Sequence, residues 1–130
     1  MTSISDAESR VMQVLWDHAP QTADDIIRAL RGQVDWHEKT VKTLLNRLLR
    51  KGAVSAGRDG RRYLYSPRLS REDWQAQESR SLLDRVFDGR LAPMLAHFSR
   101  HEQLSASDLR ELRRLVDSID PSHDDSEAPQ

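Results

Sequence analysis

The fold is decided by residues 38–52, which read EKTVKTLLNRLLRKG. Apolar side chains recur in this stretch at the spacing of one face of an α-helix. They are Val41, Leu44, Leu45, Leu48 and Leu49. The stretch predicts a helix from about residue 38 to residue 51 that stops at Gly52, because glycine accepts the left-handed conformation that commonly follows a helix.

The face of this helix that points away from the core is basic and rich in hydrogen-bonding groups, with no carboxylate after Glu38. Side chains of this kind read base edges and hold phosphates. We predict one exposed base-reading strip made of Thr40, Lys42, Thr43 and Asn46. The predicted DNA-binding residues also include Lys39, Arg47 and Arg50, and Lys51 is placed beside them as a phosphate contact.

Two shorter helices are predicted before this one. Ser5 and Glu8 have the spacing of a capping box at the start of the first, and Pro20 closes it. Thr22 caps the second, which ends at Gly32.

A β-hairpin is predicted after the basic helix, from two extended runs at residues 53–56 and 61–66. Asp59-Gly60 would form its turn, with both residues at positive φ. Arg61, Arg62 and Tyr63 follow that turn and complete the predicted DNA contacts. Three helices and a basic hairpin in this order indicate a winged helix-turn-helix.

Only helical patterns follow. One helix is predicted from Arg71 to Phe87, a second carries Leu91 and Leu95, and a third begins at Ser105 with a coiled-coil-like apolar seam. The predicted fold class is therefore mainly α with a small β-hairpin. We expect a winged-helix DNA-binding domain at residues 1–69, an α-helical dimerisation domain at 70–120 and a disordered acidic tail at 121–130.

Charge is distributed unevenly along the chain, although the net charge is −1. Residues 39–68 hold nine Lys and Arg against one acid, Asp59, whereas residues 69–130 hold 8 basic and 13 acidic residues. A strongly basic segment in a near-neutral chain is typical of a surface that binds a polyanion such as double-stranded DNA.

Several classes of protein are disfavoured by composition. The chain has no cysteine, which excludes disulfides, thiolate metal sites and a cysteine nucleophile. No apolar run approaches the ~20 residues of a membrane span, so we expect a cytoplasmic protein without membrane insertion. His97 and His101 share a helix face but lack an evident third ligand, and no glycine-rich phosphate loop is present. We predict no metal, no cofactor and no enzymatic activity.

Two alternatives to a DNA-binding regulator stay open at this point. The winged helix could be the scaffold of a protein-interaction module, or the regulator could be controlled by a small-molecule ligand.

The runs KTVKTLLNRL at residues 39–48 and GRRYLYSP at residues 60–67 resemble the penicillinase-repressor family, of the BlaI and MecI type. The resemblance extends over about residues 4–119. It implies a homodimer that binds inverted-repeat operators of the TACA/TGTA kind and represses transcription, including that of β-lactam resistance genes. It carries the base-reading role first onto Lys42 and Thr43.

The resemblance also implies how the dimer forms and how it is released. The dimer interface would comprise Leu82, Leu83, Val86, Phe87, Leu91, Leu95, Leu109, Leu112 and Val116. In the penicillinase branch, a membrane sensor's protease pathway leads to a cut between Asn and Phe in the dimerisation half. The matching bond here is His97-Phe98, within Leu95–Ser99, where Phe98 agrees with the family and His97 departs from it. The copper-responsive branch uses a cysteine-rich C-terminus, which this chain lacks.

Overall fold

A computed structural model describes residues 3–120, which form six helices and one two-stranded antiparallel hairpin. In chain order these elements are α1 (Asp6–Asp17), α2 (Ala23–Leu30), α3 (Glu38–Lys51), β1 (Val54–Asp59), β2 (Arg62–Pro67), α4 (Arg71–Phe87), α5 (Leu91–Arg100) and α6 (Ala106–Ile119). The predicted fold class is confirmed, as are the bounds of α3 and α4. The tail predicted at 121–130 lies outside the described residues.

Capping boxes begin three of the helices. At α1, the Ser5 hydroxyl accepts from the Glu8 amide at 3.1 Å, and the Glu8 carboxylate accepts from the Ser5 amide at 2.7 Å. The same reciprocal pair begins α2, from Thr22 to Asp25, and α6, from Ser105 to Asp108. Each box satisfies amides that the first helical turn leaves without a partner.

The end of α3 depends on Gly52, whose φ of 78° lies in the left-handed region. Its amide donates to the carbonyls of Leu48 and Leu49, and the Ala53 amide donates to Leu48 at 3.0 Å. A side chain at this φ would be strained, so glycine lets α3 stop and turn directly into the hairpin.

The hairpin differs from the prediction in its turn and its length. Asp59 pairs with Arg62 across the strands, so the two-residue loop is Gly60-Arg61 rather than Asp59-Gly60. Only Gly60 in this loop takes positive φ, at 69°. Backbone pairing with the second strand carries the first strand on to Asp59, three residues beyond its predicted end at residue 56.

The core of the winged helix is formed where α1, α2, α3 and the base of the hairpin meet. Its buried hydrophobic residues are Ile4, Val11, Met12, Val14, Leu15, Ile26, Ile27, Leu30, Val41, Leu44, Leu45, Leu48, Ala53, Val54 and Leu69. Gln21, also buried, joins this core to the hairpin: its backbone exchanges hydrogen bonds with Tyr65 at 3.1 and 2.7 Å. The hairpin is therefore held against the helices at its β2 edge.

An ion pair with a buried carboxylate connects the start of α1 to the end of α3. Glu8 is 1% exposed, and its carboxylate accepts from the Lys51 ammonium at the end of α3 as well as from the Ser5 amide. Burial alone would raise the pKa of Glu8, but the hydrogen bonds from Lys51 and Ser5 hold that pKa below its ordinary value of 4.5. The ionised carboxylate therefore stabilises the fold above that value, and this contribution is lost as the pH falls through the lowered pKa.

The chain divides into two compact units, Met1–Ser79 and Arg80–Gln130. The division falls inside α4, later than the predicted limit between residues 69 and 70, because Trp74 of α4 packs against the winged-helix core. The predicted limits of the DNA-binding and dimerisation domains remain a prediction about function. In the second unit, none of the described residues 80–120 is buried.

Replacing Glu8 with alanine should lower the free energy of unfolding by about 2–3 kcal/mol, because it removes the α1 capping box and leaves Lys51 without its partner. Urea denaturation followed by tryptophan fluorescence measures this, since all three tryptophans lie in the first unit. Asp25→Ala is the matched control: it removes the same capping position from α2, where the carboxylate is exposed, and should cost less. Equal losses would contradict a special role for the buried pair.

Candidate nucleic-acid interface

The outward face of α3 is fixed by the burial of its opposite side. Val41, Leu44, Leu45 and Leu48 are buried in the core. All seven predicted DNA-binding residues of α3 are exposed, namely Lys39, Thr40, Lys42, Thr43, Asn46, Arg47 and Arg50. Within residues 3–120, none of these side chains makes a hydrogen bond or ion pair. Their donors are therefore available to an external partner.

The four residues predicted as one base-reading strip, Thr40, Lys42, Thr43 and Asn46, spread over a wider part of this face. At about 100° per residue, Lys39, Thr43, Asn46 and Arg50 lie on one line along the helix, and Thr40 and Lys42 lie on opposite sides of it. Thr40 lines a concavity with Lys39, Thr43 and Arg47, whereas Lys42 lines a different groove. The face is thus broader than a strip, with a central line and two flanks.

The groove beside Lys42, which we call the hairpin groove, lies where α3, the start of α2 and β2 meet. The hairpin contributes Arg62, Tyr63 and Tyr65 to it, and Thr22 and the residues 23–25 and Arg28 of α2 line its other side. The carboxylates of Asp24 and Asp25 line the same groove, and Asp25 is paired with Arg28. The Thr22 amide, and then Arg28 at 2.7 Å, hold the pKa of Asp25 below its ordinary value, so this carboxylate stays ionised.

The predicted hairpin residues Arg61, Arg62 and Tyr63 are all exposed beside this groove or at the turn. Arg62 pairs with Asp59 across the turn at 3.0 Å. Arg58 was not among the predicted contacts, and its guanidinium lies over the Tyr63 ring, 5.3 Å from the centroid. The correct strand register places Arg58 directly opposite Tyr63, so a prediction with that register would have included it beside Tyr63.

Lys51 does not share the role of the other basic residues of α3. Its ammonium group binds Glu8 and donates to the Ser3 carbonyl at 3.2 Å. It was predicted as a phosphate contact, but its ammonium group is held in the ion pair with Glu8 at the start of α1. A pattern confined to α3 could not reveal this, because the partners lie more than forty positions away.

The residues predicted for the dimer interface are partly or fully exposed in the single chain. Leu82, Val86, Leu91, Leu109 and Val116 are exposed large hydrophobic residues, with Val86 at 57%. Leu83, Phe87, Leu95 and Leu112 are half-buried. Leu115 and Ile119 are also exposed and were missing from the predicted set. Ile119 continues the apolar seam of Leu109, Leu112 and Val116 in α6, so its position alone would have added it to the predicted interface.

The histidines of α5 lie close together. The rings of His97 and His101 are 4.5 Å apart, and His97 also contacts the ring of Phe98. In the described part of the chain, no group of three or more His, Cys, Asp or Glu side chains could hold a metal ion. Across residues 3–120, no helix has both the length and the apolarity needed to cross a membrane.

Comparison with known proteins identifies relatives along most of the chain. The sequence model for the penicillinase repressor family matches residues 4–118. The chain is 35% identical to a penicillinase repressor of Bacillus licheniformis, over 88% of this chain and 89% of that protein. It is 30% identical to the methicillin resistance regulatory protein MecI of Staphylococcus aureus strain N315, over 87% of this chain and 92% of MecI.

A solved structure resembles the first part of the fold. It is the solution structure of monomeric BlaI of Bacillus licheniformis in complex with the blaP half-operator, 38% identical, with a TM-score of 0.50. The match covers 55% of this chain and 88% of the BlaI chain. The chain described here belongs to the penicillinase repressor family.

Proposed function

We propose that this protein is a transcriptional repressor that binds inverted-repeat operators of the TACA/TGTA kind as a homodimer. The observation that carries the proposal is the outward face of α3, where exposed basic and hydrogen-bonding side chains have no partner within residues 3–120. A scaffold helix has no need of such a face. The BlaI relative bound to a half-operator supports DNA as the partner, and the repressor names of the relatives support a regulator over an enzyme.

In this proposal α3 lies in the major groove, which admits one α-helix. Lys42 and Thr43 read bases, with Thr40 and Asn46 beside them. Lysine can donate to guanine, asparagine can pair with adenine, and the threonine methyl can contact thymine. Lys39, Arg47 and Arg50 bind phosphates, and the hairpin reaches the flanking backbone through Arg61, Arg62 and Tyr63. Arg58 joins this set, because its guanidinium is held over Tyr63 at the same hairpin.

The absence of a buried core among the described residues of the second unit supports dimerisation. None of its described residues is buried, yet α4, α5 and α6 expose large hydrophobic side chains such as Val86, Leu91 and Val116. A unit this small does not stabilise itself without a core, and an exposed apolar surface of this kind is typical of an interface. A second copy of the chain supplies the missing core.

Pairing two winged-helix domains, here called readers, also explains how so small a protein could be specific for one operator sequence. Each reader contacts only a few base pairs. Once one half-site is bound, the dimer holds the second reader at high effective concentration over the other half-site. An inverted repeat matches the two-fold symmetry of such a dimer.

Operator binding should weaken steeply with salt. If three to five basic residues of each protomer meet phosphate, the slope of log K against log salt should be roughly −5 to −9. Arg47→Ala removes one such contact from each protomer and should flatten the slope by about 2. Fluorescence anisotropy over a salt series measures both slopes.

The matched control for this series is Arg10→Ala, which removes an exposed cation of α1 that lines neither groove. Its slope should equal that of the wild type. A flat wild-type slope, or an equal change in both variants, would contradict the assignment of α3 as the phosphate-binding face.

Val86→Asp should convert the dimer into monomers, because it places a charge in the proposed apolar interface. Sedimentation velocity on the full chain measures the change. Gln75→Asp adds the same charge at an exposed position of α4 within the first unit, and it should leave the dimer intact. A wild-type chain that sediments as a monomer at micromolar concentration would count against the homodimer.

For release, we propose cleavage within Leu95–Ser99, at or near the His97-Phe98 bond, through a membrane sensor's protease pathway. This stretch lies inside α5, where His97 is exposed and Phe98 half-buried. Cleavage there would require local unwinding of α5 and would divide the proposed interface between two fragments.

Mass spectrometry of the chain from β-lactam-treated cells should therefore detect a fragment that ends within residues 95–99. The chain from untreated cells should be intact. An intact chain in fully induced cells would rule out cleavage as the means of release.

A further inference from the structure

The start of α4 is fastened to the winged helix by contacts that neither DNA binding nor the apolar interface uses. Trp74, one turn into α4, is half-buried and packs against the winged-helix core. Its ring centroid lies 5.3 Å from that of Trp16 in α1, with the planes inclined at 39°. Aromatic pairs at this separation contribute beyond the area that they bury.

Arg71, the first residue of α4, adds polar contacts to the same place. Its guanidinium donates to the Asp17 carboxylate at 2.7 Å and to the Gln13 side-chain oxygen at 3.5 Å. It also lies over the Trp16 ring, 5.7 Å from the centroid. One side chain of α4 is thus held by three residues of α1.

The chain that enters α4 is held as well. The Trp16 indole N–H donates to the Leu69 carbonyl at 2.8 Å, two residues before Arg71. Trp74 has no such bond, since its buried indole nitrogen finds no acceptor within residues 3–120. Ring contact and apolar burial therefore hold Trp74, and a phenylalanine in its place keeps an aromatic ring there while losing the unused donor and part of the ring area.

We propose that Trp16, Arg71 and Trp74, here called the clasp, position the outgoing helix and so set the spacing between operator half-sites that the dimer accepts. The inference rests on the proposed dimeric function. All three clasp residues belong to the first unit, and α4 continues without a break from the clasp to Phe87. The clasp residues act as positioning residues and do not touch DNA.

The physical basis is the dependence of effective concentration on the stiffness of a linker. A stiff connection raises the effective concentration of the second reader only at half-site spacings that match its geometry. A loose connection spreads the same advantage over many spacings and lowers it at the best one. Loosening the clasp should therefore change spacing selectivity while the contacts of each reader with DNA stay the same.

The test compares full-length wild type, Trp74→Ala and Trp74→Phe on a set of duplexes. The set contains a TACA/TGTA half-operator and inverted repeats whose central spacers differ by single base pairs. Arg80→Ala is the control. It removes the exposed ion pair of α4 in which the Arg80 guanidinium lies 3.8 Å from the Asp84 carboxylate, and Arg80 lies beyond the first unit. The readout is the Kd for each duplex, which gives a spacing profile for each protein.

We expect the wild type to prefer its best spacer over neighbouring ones by about tenfold or more, and Trp74→Ala to reduce that preference to about threefold or less. Half-operator Kd should stay within about twofold across all four proteins, because the reader is unchanged. Trp74→Phe and Arg80→Ala should keep the wild-type profile.

A Trp74→Ala profile identical to that of the wild type would overturn the inference and leave the dimeric function intact. An equal loss of affinity on every duplex, including the half-operator, would assign the clasp to the folding of the reader and would also overturn it. A wild type that binds no repeat more tightly than the half-operator would contradict the dimeric function itself.

Discussion

The amphipathic division of α3 is the constraint on which the rest of the structure depends. Its buried side, formed by Val41, Leu44, Leu45 and Leu48, must meet α1 and α2 for the winged helix to have a core. That requirement fixes the rotation of α3 about its axis, and so directs its basic side outward. Gly52 then ends the helix and places the hairpin beside the exposed face. Core packing and the geometry of the proposed DNA contact are thus set by one sequence pattern.

Basic residues serve two different purposes in this chain, and only their partners distinguish them. Lys51 and Arg71 are bound to the carboxylates of Glu8 and Asp17, where they hold elements together. Those on the outward face of α3 have no partner within residues 3–120. The Glu8 carboxylate is buried, and withdrawing Lys51 from a buried carboxylate is costly, so Lys51 is not interchangeable with the exposed cations of α3 as a phosphate ligand. Counts of charge along the chain therefore overstate the number of cations available to DNA.

Local sequence patterns predicted the helices well. Features that depend on contacts between residues far apart in the chain could not be predicted from them. The bounds of α3 and α4 and the Ser5–Glu8 capping box depend on neighbours within one helical turn, which the sequence displays directly. The turn at Gly60, the pairing of Arg58 with Tyr63 and the commitment of Lys51 depend on strand register or on residues far along the chain. The division of the chain into two units inside α4 also depends on distant contacts, because Trp74 finds its neighbours in α1 and the core.

The most direct test of a sequence-specific reader is a competition gel shift with a TACA/TGTA inverted repeat against a scrambled duplex of the same length. It compares the wild type with the double variant Lys42→Ala, Thr43→Ala, whose exposed positions leave the core intact. The account predicts that the wild type prefers the repeat and that the double variant loses this preference while remaining folded. Equal binding of the wild type to both duplexes would contradict it, and binding to neither would instead favour a protein-interaction module.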